Sequence, residues 1–132
     1  MSAEANIETI KTIYEAFGRG DAETILAVLT DDVDWSADGT GEVPWYGQRH
    51  GRDGVGAFFG EVGAVSDVLE FSPLSFAAND SEVHTLVRYR VRMKPTGREI
   101  DMNLHHYFRF RGEEVEYYRG SEDSAQTVAA LA

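Results

Sequence analysis

The chain of 132 residues contains no cysteine, which excludes disulfide bonds and thiolate chemistry and fits a reducing compartment. It has no apolar run near the ~20 residues that a membrane-crossing helix requires. Its first residues, Met1-Ser2-Ala3-Glu4-Ala5-Asn6, lack a basic segment followed by an apolar one, so no secretory leader is expected and a cytoplasmic location is. Basic residues are scarce: 12 Lys and Arg stand against 23 Asp and Glu, for a net charge of −11. Such a chain repels phosphate backbones and anionic lipid surfaces, so neither nucleic acid nor a membrane is expected as a partner. There is no glycine loop of phosphate-binding spacing and no nucleophile elbow. His105 and His106 are adjacent, so in a strand they point to opposite faces and cannot share one metal ion. Neither a cofactor nor a metal is expected.

The residues that are present fit a globular chain with one core. Hydrophobic residues make up 42% and charged residues 27%, and the length suits a single domain over residues 1–132. No repeat or linker is visible. Ile7, Ile10, Tyr14 and Phe17 share one face at helical spacing, and Gly18 and Gly20 end that helix. Asp21 caps a second, shorter helix carrying Ile25, Leu26, Val28 and Leu29. Val33 to Trp35 reads as a short strand or extended turn. Residues Ser36 to Gly51 read as a loop, though one holding Trp45 and Tyr46. Arg52 to Val65 reads as a third helix with Val55, Phe58, Phe59 and Val62 on its apolar side.

From Val68 the period becomes two. Strands are predicted near Val68–Ala77, Glu82–Lys94, Arg98–Arg111 and Val115–Ser121, and a last helix over Ser124–Leu131. Helices first and a sheet afterwards predict an α+β domain, its curved antiparallel sheet wrapped around the N-terminal helices with a cavity between them.

Candidate site residues follow from alternation along these strands. Met102, Leu104, His106, Phe108 and Phe110 share one face, which makes His106 the polar member of an apolar row. It is either a core histidine with one satisfied partner or a group lining the cavity. Asp123 and Glu122 end the last strand. Either carboxylate could cap the final helix, and Asp123 could equally reach the cavity as a general base. Trp35, Trp45 and Tyr46 suggest an aromatic mouth or lids on the core. Tyr14 is either core or a hydroxyl donor to the cavity. Alternation puts Arg119 on one face with Val115 and Tyr117, where it could pair with Glu122, Asp123 or a ligand carboxylate. Phe59 and Phe108 complete the expected lining.

Three segments carry a family resemblance: Ile13-Tyr14-Glu15-Ala16-Phe17-Gly18-Arg19-Gly20-Asp21, Asp31-Asp32-Val33-Asp34-Trp35, and Tyr118-Arg119-Gly120-Ser121-Glu122-Asp123. With them the chain resembles a SnoaL-like member of the nuclear transport factor 2-like superfamily, over essentially its whole length. The resemblance implies a cone of curved sheet and helices (a cystatin-like architecture), a deep apolar pocket for a small ligand and a homodimer formed through the sheet. Members include ketosteroid isomerases, polyketide cyclases, epoxide hydrolases, dehydratases and non-catalytic binders. By resemblance, His106 falls where the isomerases place an oxyanion-hole aspartate, and Asp123 where epoxide hydrolases place a catalytic one. The pattern also departs from both. The isomerase base position falls at Ala37, beside Asp38, and the isomerase tyrosine position at Ile13, beside Tyr14. Arg90 and Arg92 stand where the hydrolases have an Arg-x-Asp pair.

Two functions are therefore expected in competition. One is an isomerase or cyclase moving a proton on an apolar carbonyl compound, with Asp123 as base and His106 as donor. The other is a non-catalytic ligand-binding or carrier domain.

Overall fold

The computed structural model describes residues 2–132. Helix α1 runs from Ala3 to Gly18. The Ser2 hydroxyl starts it by accepting from the Ala5 amide at 3.1 Å. A cap of this kind contributes ~1 kcal/mol. Its inner face buries Ile10, Ile13, Tyr14 and Ala16. Asn6 is also buried there, and its Nδ2 donates to the Asn79 carbonyl at 3.2 Å, tying the helix to a distant turn. Asp21 caps the short helix α2 (Ala22–Ala27), accepting from the Thr24 amide at 3.1 Å.

Strand β1 (Leu29–Ala37) follows, then β2 (Gly47–His50), helix α3 (Gly51–Val65), and the long strands β3 (Ser66–Ala78), β4 (Glu82–Met93), β5 (Glu99–Arg111) and β6 (Glu114–Ser121). Helix α4 (Ser124–Leu131) comes last. The strands form one curved, unclosed six-stranded sheet in the order β2-β1-β6-β5-β4-β3. The core lies between its inner face and helices α1 and α3. Burial alternates residue by residue along β4 and β5, as a sheet with one covered face requires.

The mixed architecture agrees with the sequence expectation, but two details differ. The sheet is not wholly antiparallel, because β1 pairs parallel to β6, with Trp35 opposite Tyr118 and Ala37 opposite Gly120. Part of the expected loop from Ser36 to Gly51 is strand: β2 pairs antiparallel with β1, with Trp35 opposite Arg49. The intervening segment, residues 38–46, folds inward and buries Val43 and Trp45.

Two irregularities decide where side chains point. Between β5 and β6 the register moves from Arg109–Tyr117 to Phe110–Val115, so Glu116 is an extra residue, a β-bulge. Val115 is buried, and beyond the bulge the buried positions are Tyr118 and Gly120, while Arg119 is exposed. Arg119 therefore does not share a face with Val115. On β3 the register slips at Leu69 and again at Leu74.

Candidate functional site

The inner face of the sheet and helices α1 and α3 leave a cavity of about 840 Å³ of empty space, its mouth included. Its wall is mostly rings. Trp35 stacks on Tyr118 with centroids 4.0 Å apart and planes 25° apart, and Phe58 and Phe59 meet Trp35 edge-on. Across from them, Tyr14 packs its edge on Phe71 and Phe108. Such ring pairs contribute ~0.5–1.5 kcal/mol each beyond the area they bury, which keeps the wall rigid.

Tyr118 reaches its place because Gly120, two residues on, has no side chain. A Cβ there would overlap the Tyr118 hydroxyl. The same holds at the mouth, where the ring of Tyr46 lies against Gly39 so closely that no Cβ fits.

His106 lines the cavity from β5, while His105 faces outward and is exposed. The His106 Nδ1 is 2.8 Å from the Tyr14 hydroxyl, which α1 brings in from the opposite wall. Burial lowers the His106 pKa to about 3, with a smaller push from His105. The imidazole is thus neutral near pH 7. Burial also raises the Tyr14 hydroxyl well above its ordinary value, so it too keeps its proton. In a neutral pair one group donates to the other and one N–H or O–H remains. If Tyr14 donates to Nδ1, the spare donor is His106 Nε2–H; in the other tautomer it is the Tyr14 hydroxyl.

The cavity carboxylate is Glu122. Its Oε2 accepts hydrogen bonds from both the Tyr46 hydroxyl and the Thr127 hydroxyl. Its Oε1 accepts none from the described residues. Tyr46 belongs to the inward-folded loop and Thr127 to α4, so three separate segments meet on one oxygen. The end of α4 is itself held, because Arg98 Nη1 donates to the carbonyls of Ala129 at 2.8 Å and Ala132 at 3.1 Å. A cation on the last carbonyls of a helix is the favourable placement.

The structure thus brings His106, Tyr14, Trp35, Trp45, Phe59, Phe108 and Glu122 together around one space. Three expected residues lie elsewhere or act differently. Asp123 is exposed at the start of α4, its Oδ2 accepting from Gln126 Nε2 at 2.9 Å, so it does not reach the cavity. The bulge at Glu116 is the cause, since it moves even-numbered residues to the inner face of β6. Arg119 is on the outer face, its Nε shared between the two oxygens of Asp38 at 3.1 and 3.0 Å. Tyr46 does not form the wall itself but orients Glu122 from behind.

Sequence reading missed Thr127, Tyr89 and Tyr118 as cavity residues. In the sequence Tyr89 stands among the charged residues Arg88, Arg90 and Arg92. Alternation alone puts Tyr89 on the face opposite those arginines. The arginines pair with Asp101, Glu99 and Asp67 outside the cavity.

The SnoaL-like domain family matches residues 10–118. Among solved structures, a nuclear transport factor 2-like protein from Burkholderia xenovorans LB400 superposes with a TM-score of 0.90. It is 24% identical, covering 100% of this chain and 99% of that one. One of unknown function from Burkholderia pseudomallei K96243 gives 0.88 at 29% identity, with 100% and 99% covered. A proposed polyketide cyclase from Xanthomonas campestris gives 0.82 at 16% identity, with 100% of both chains covered. At these identities the likeness is one of fold. No curated protein matches the chain. With most of its length matched and its cone of helices and sheet superposed on such neighbours, the chain belongs to the SnoaL-like domain family.

Proposed function

We propose that the protein moves a proton next to the carbonyl of a small apolar compound, as an isomerase or cyclase does. The observation that carries this is Glu122. It is a carboxylate in an aromatic chamber with one oxygen saturated by Tyr46 and Thr127 and the other left open, and the neutral His106–Tyr14 pair lies in the same wall. Glu122 Oε1 takes the α-proton. The C–H electrons pass into the carbonyl, and the oxyanion that develops accepts the spare donor of His106–Tyr14. Glu122 then returns the proton to the carbon chosen by the substrate's fit. A neutral imidazole suits the donor role, because at a pKa of about 3 it is too weak a base to compete for the substrate proton.

The reading replaces Asp123 by Glu122. In heavy water the protein should speed deuterium uptake at the α-carbon of 2-tetralone, followed by proton NMR. Glu122→Gln should lower that rate by ~10²–10⁴-fold, the usual range for one general base. Asp123→Asn should leave it within about twofold. Equal rates for the wild type and Glu122→Gln would overturn the assignment. Binding of the ketone without any exchange would instead support the ligand-binding reading.

We also propose that the molecule pairs with a second copy through its sheet. The support is the exposed apolar surface on β3, where Val68, Leu69 and Leu74 are 41%, 40% and 56% exposed.

A further inference from the structure

Tyr118 is a wall residue whose polar end has no partner in the fold. The residue is 6% exposed, and stacking on Trp35 holds its ring. Its hydroxyl makes no hydrogen bond among the described residues, yet it is not sealed in. The sealed, unpartnered side-chain atoms are those of Thr30, Trp35, Ser66 and Thr85. The Tyr118 hydroxyl therefore opens on the cavity that the residue lines. Once a ligand displaces water from that space, a hydroxyl without an acceptor is unfavourable, so the position favours an acceptor atom on the ligand.

Gly120 shows where that hydroxyl lies. A Cβ on Gly120 would overlap it, so the hydroxyl occupies the inward place that Gly120 leaves empty. Gly120 pairs directly with His106 across β5 and β6. The Cβ positions of directly opposed residues are ~4.5–5.5 Å apart. The Tyr118 oxygen is thus about one such step from the base of the His106 side chain, and the two rings meet edge to face with centroids 5.2 Å apart. His106 Nδ1 is taken up by Tyr14, while Nε2 is, like the Tyr118 oxygen, neither bonded nor sealed. Two donors can converge on one oxygen when they are no more than ~5.5 Å apart, about twice a hydrogen-bond length. Burial raises the Tyr118 pKa well above its ordinary value, so near pH 7 the hydroxyl keeps its proton and acts as a donor. Glu122 lines the same cavity two residues beyond Gly120.

We propose that the Tyr118 hydroxyl is a further catalytic group, a second donor to the substrate's carbonyl oxygen beside the spare donor of the His106–Tyr14 pair, and that Gly120 is the positioning residue that lets it reach that oxygen. The inference rests on the reading of the cavity as a site of proton transfer, and it adds a residue to that reading. Tyr118 gives up no proton. Its hydrogen bond strengthens as negative charge develops on the oxygen, so it favours the transition state over the bound ketone.

The test uses the full chain and 2-tetralone labelled with carbon-13 at the carbonyl. Infrared difference spectra of the bound ketone report how strongly the carbonyl is polarised, without turnover. Tyr118→Phe keeps the ring and its stack on Trp35, so urea unfolding should match the wild type. Its bound carbonyl stretch should lie at higher frequency than in the wild type. Its kcat for deuterium uptake should fall by ~10²-fold, the usual effect of removing one donor to a developing oxyanion, while KM changes much less. Gly120→Ala keeps the phenol but displaces its hydroxyl, and should move the stretch the same way. An identical stretch in the wild type and Tyr118→Phe would overturn the inference, as would a wild-type kcat in Tyr118→Phe or a ketone that does not bind. A stretch that shifts in Tyr118→Phe while the wild type exchanges no deuterium would uphold Tyr118 as the carbonyl donor and remove Glu122 as the base, so the two failures are told apart.

Discussion

At the scale of single residues the site depends on what is missing as much as on what is present. Gly39 has no side chain, and the Tyr46 ring occupies the place where a Cβ would go. Gly39→Ala must therefore push the ring aside, and with it the hydroxyl that holds Glu122 Oε2. Overpacking of this kind costs ~1–3 kcal/mol. Urea unfolding of Gly39→Ala should show a loss in that range, and its exchange rate with 2-tetralone should fall as far as that of Tyr46→Phe. A Gly39→Ala protein of wild-type stability and rate would show that the loop repacks freely and that Tyr46 does not position the carboxylate. His106 was legible from sequence as a polar residue in an apolar row, since burial alternates along β5 on either side of His106 and Tyr107. The choice between Asp123 and Glu122 was not. Counting by twos from Val115 assigns positions 117, 119, 121 and 123 to its face, and the single extra residue at Glu116 reverses that assignment. A bulge leaves little trace in composition, so which member of the Glu122–Asp123 pair lines the cavity was not legible from the sequence.

At the scale of elements, legibility followed sequence distance. The helices and the β3–β6 strands carry their own periodicity and turn residues. The turn after β3 is an example, where Asn79 Oδ1 accepts from the Ser81 amide at 2.9 Å and the Glu82 amide at 2.8 Å. The parallel pairing of β1 with β6 joins residues some eighty positions apart and has no local signature, and β2 is only four residues long. Strand β3 shows a further effect of bulges. It is an edge strand, and both of its register slips fall on leucines, Leu69 and Leu74, which are turned out to solvent. Bulges and Pro73 blunt an edge against indefinite pairing, while the exposed leucines give it an apolar contact surface. If the sheet carries a homodimer contact there, the wild type should sediment at twice the mass of the chain. The double variant Leu69→Lys, Leu74→Lys should then sediment as a monomer with its circular dichroism unchanged. A wild type that sediments as a monomer at tens of micromolar would remove the proposal.

For the molecule as a whole, the His106 imidazole in the cavity wall ties stability to pH. The folded-state pKa of His106 is about 3, against 6.5 when exposed, so between those values the unfolded chain binds a proton that the folded one refuses. Its contribution is complete above pH 6.5 and is lost as pH falls toward 3. The slope is ~1.4 kcal/mol per pH unit, which makes the loss between pH 7 and pH 5 about 2 kcal/mol. The carboxylates whose pKa values hydrogen bonds hold down, Asp21 by Thr24, Asp32 by Arg111, Glu82 by Tyr107 and Glu116 by Arg109, act in the same direction but later. Their stabilisation is complete above the ordinary carboxylate range and is lost only as pH falls through and below it. The two regimes separate in His106→Phe. That variant gives up the bond to Tyr14 at every pH and so is less stable at pH 7, but it has no imidazole to charge. Urea unfolding at pH 7, 6 and 5 should show the wild type losing about 2 kcal/mol while His106→Phe stays nearly flat, and both should fall below pH 4 as the carboxylates take up protons. Parallel curves from pH 7 to pH 5 would mean that the imidazole is reached by water and titrates normally, and an imidazole in that state could not serve as the neutral donor that the proton transfer requires.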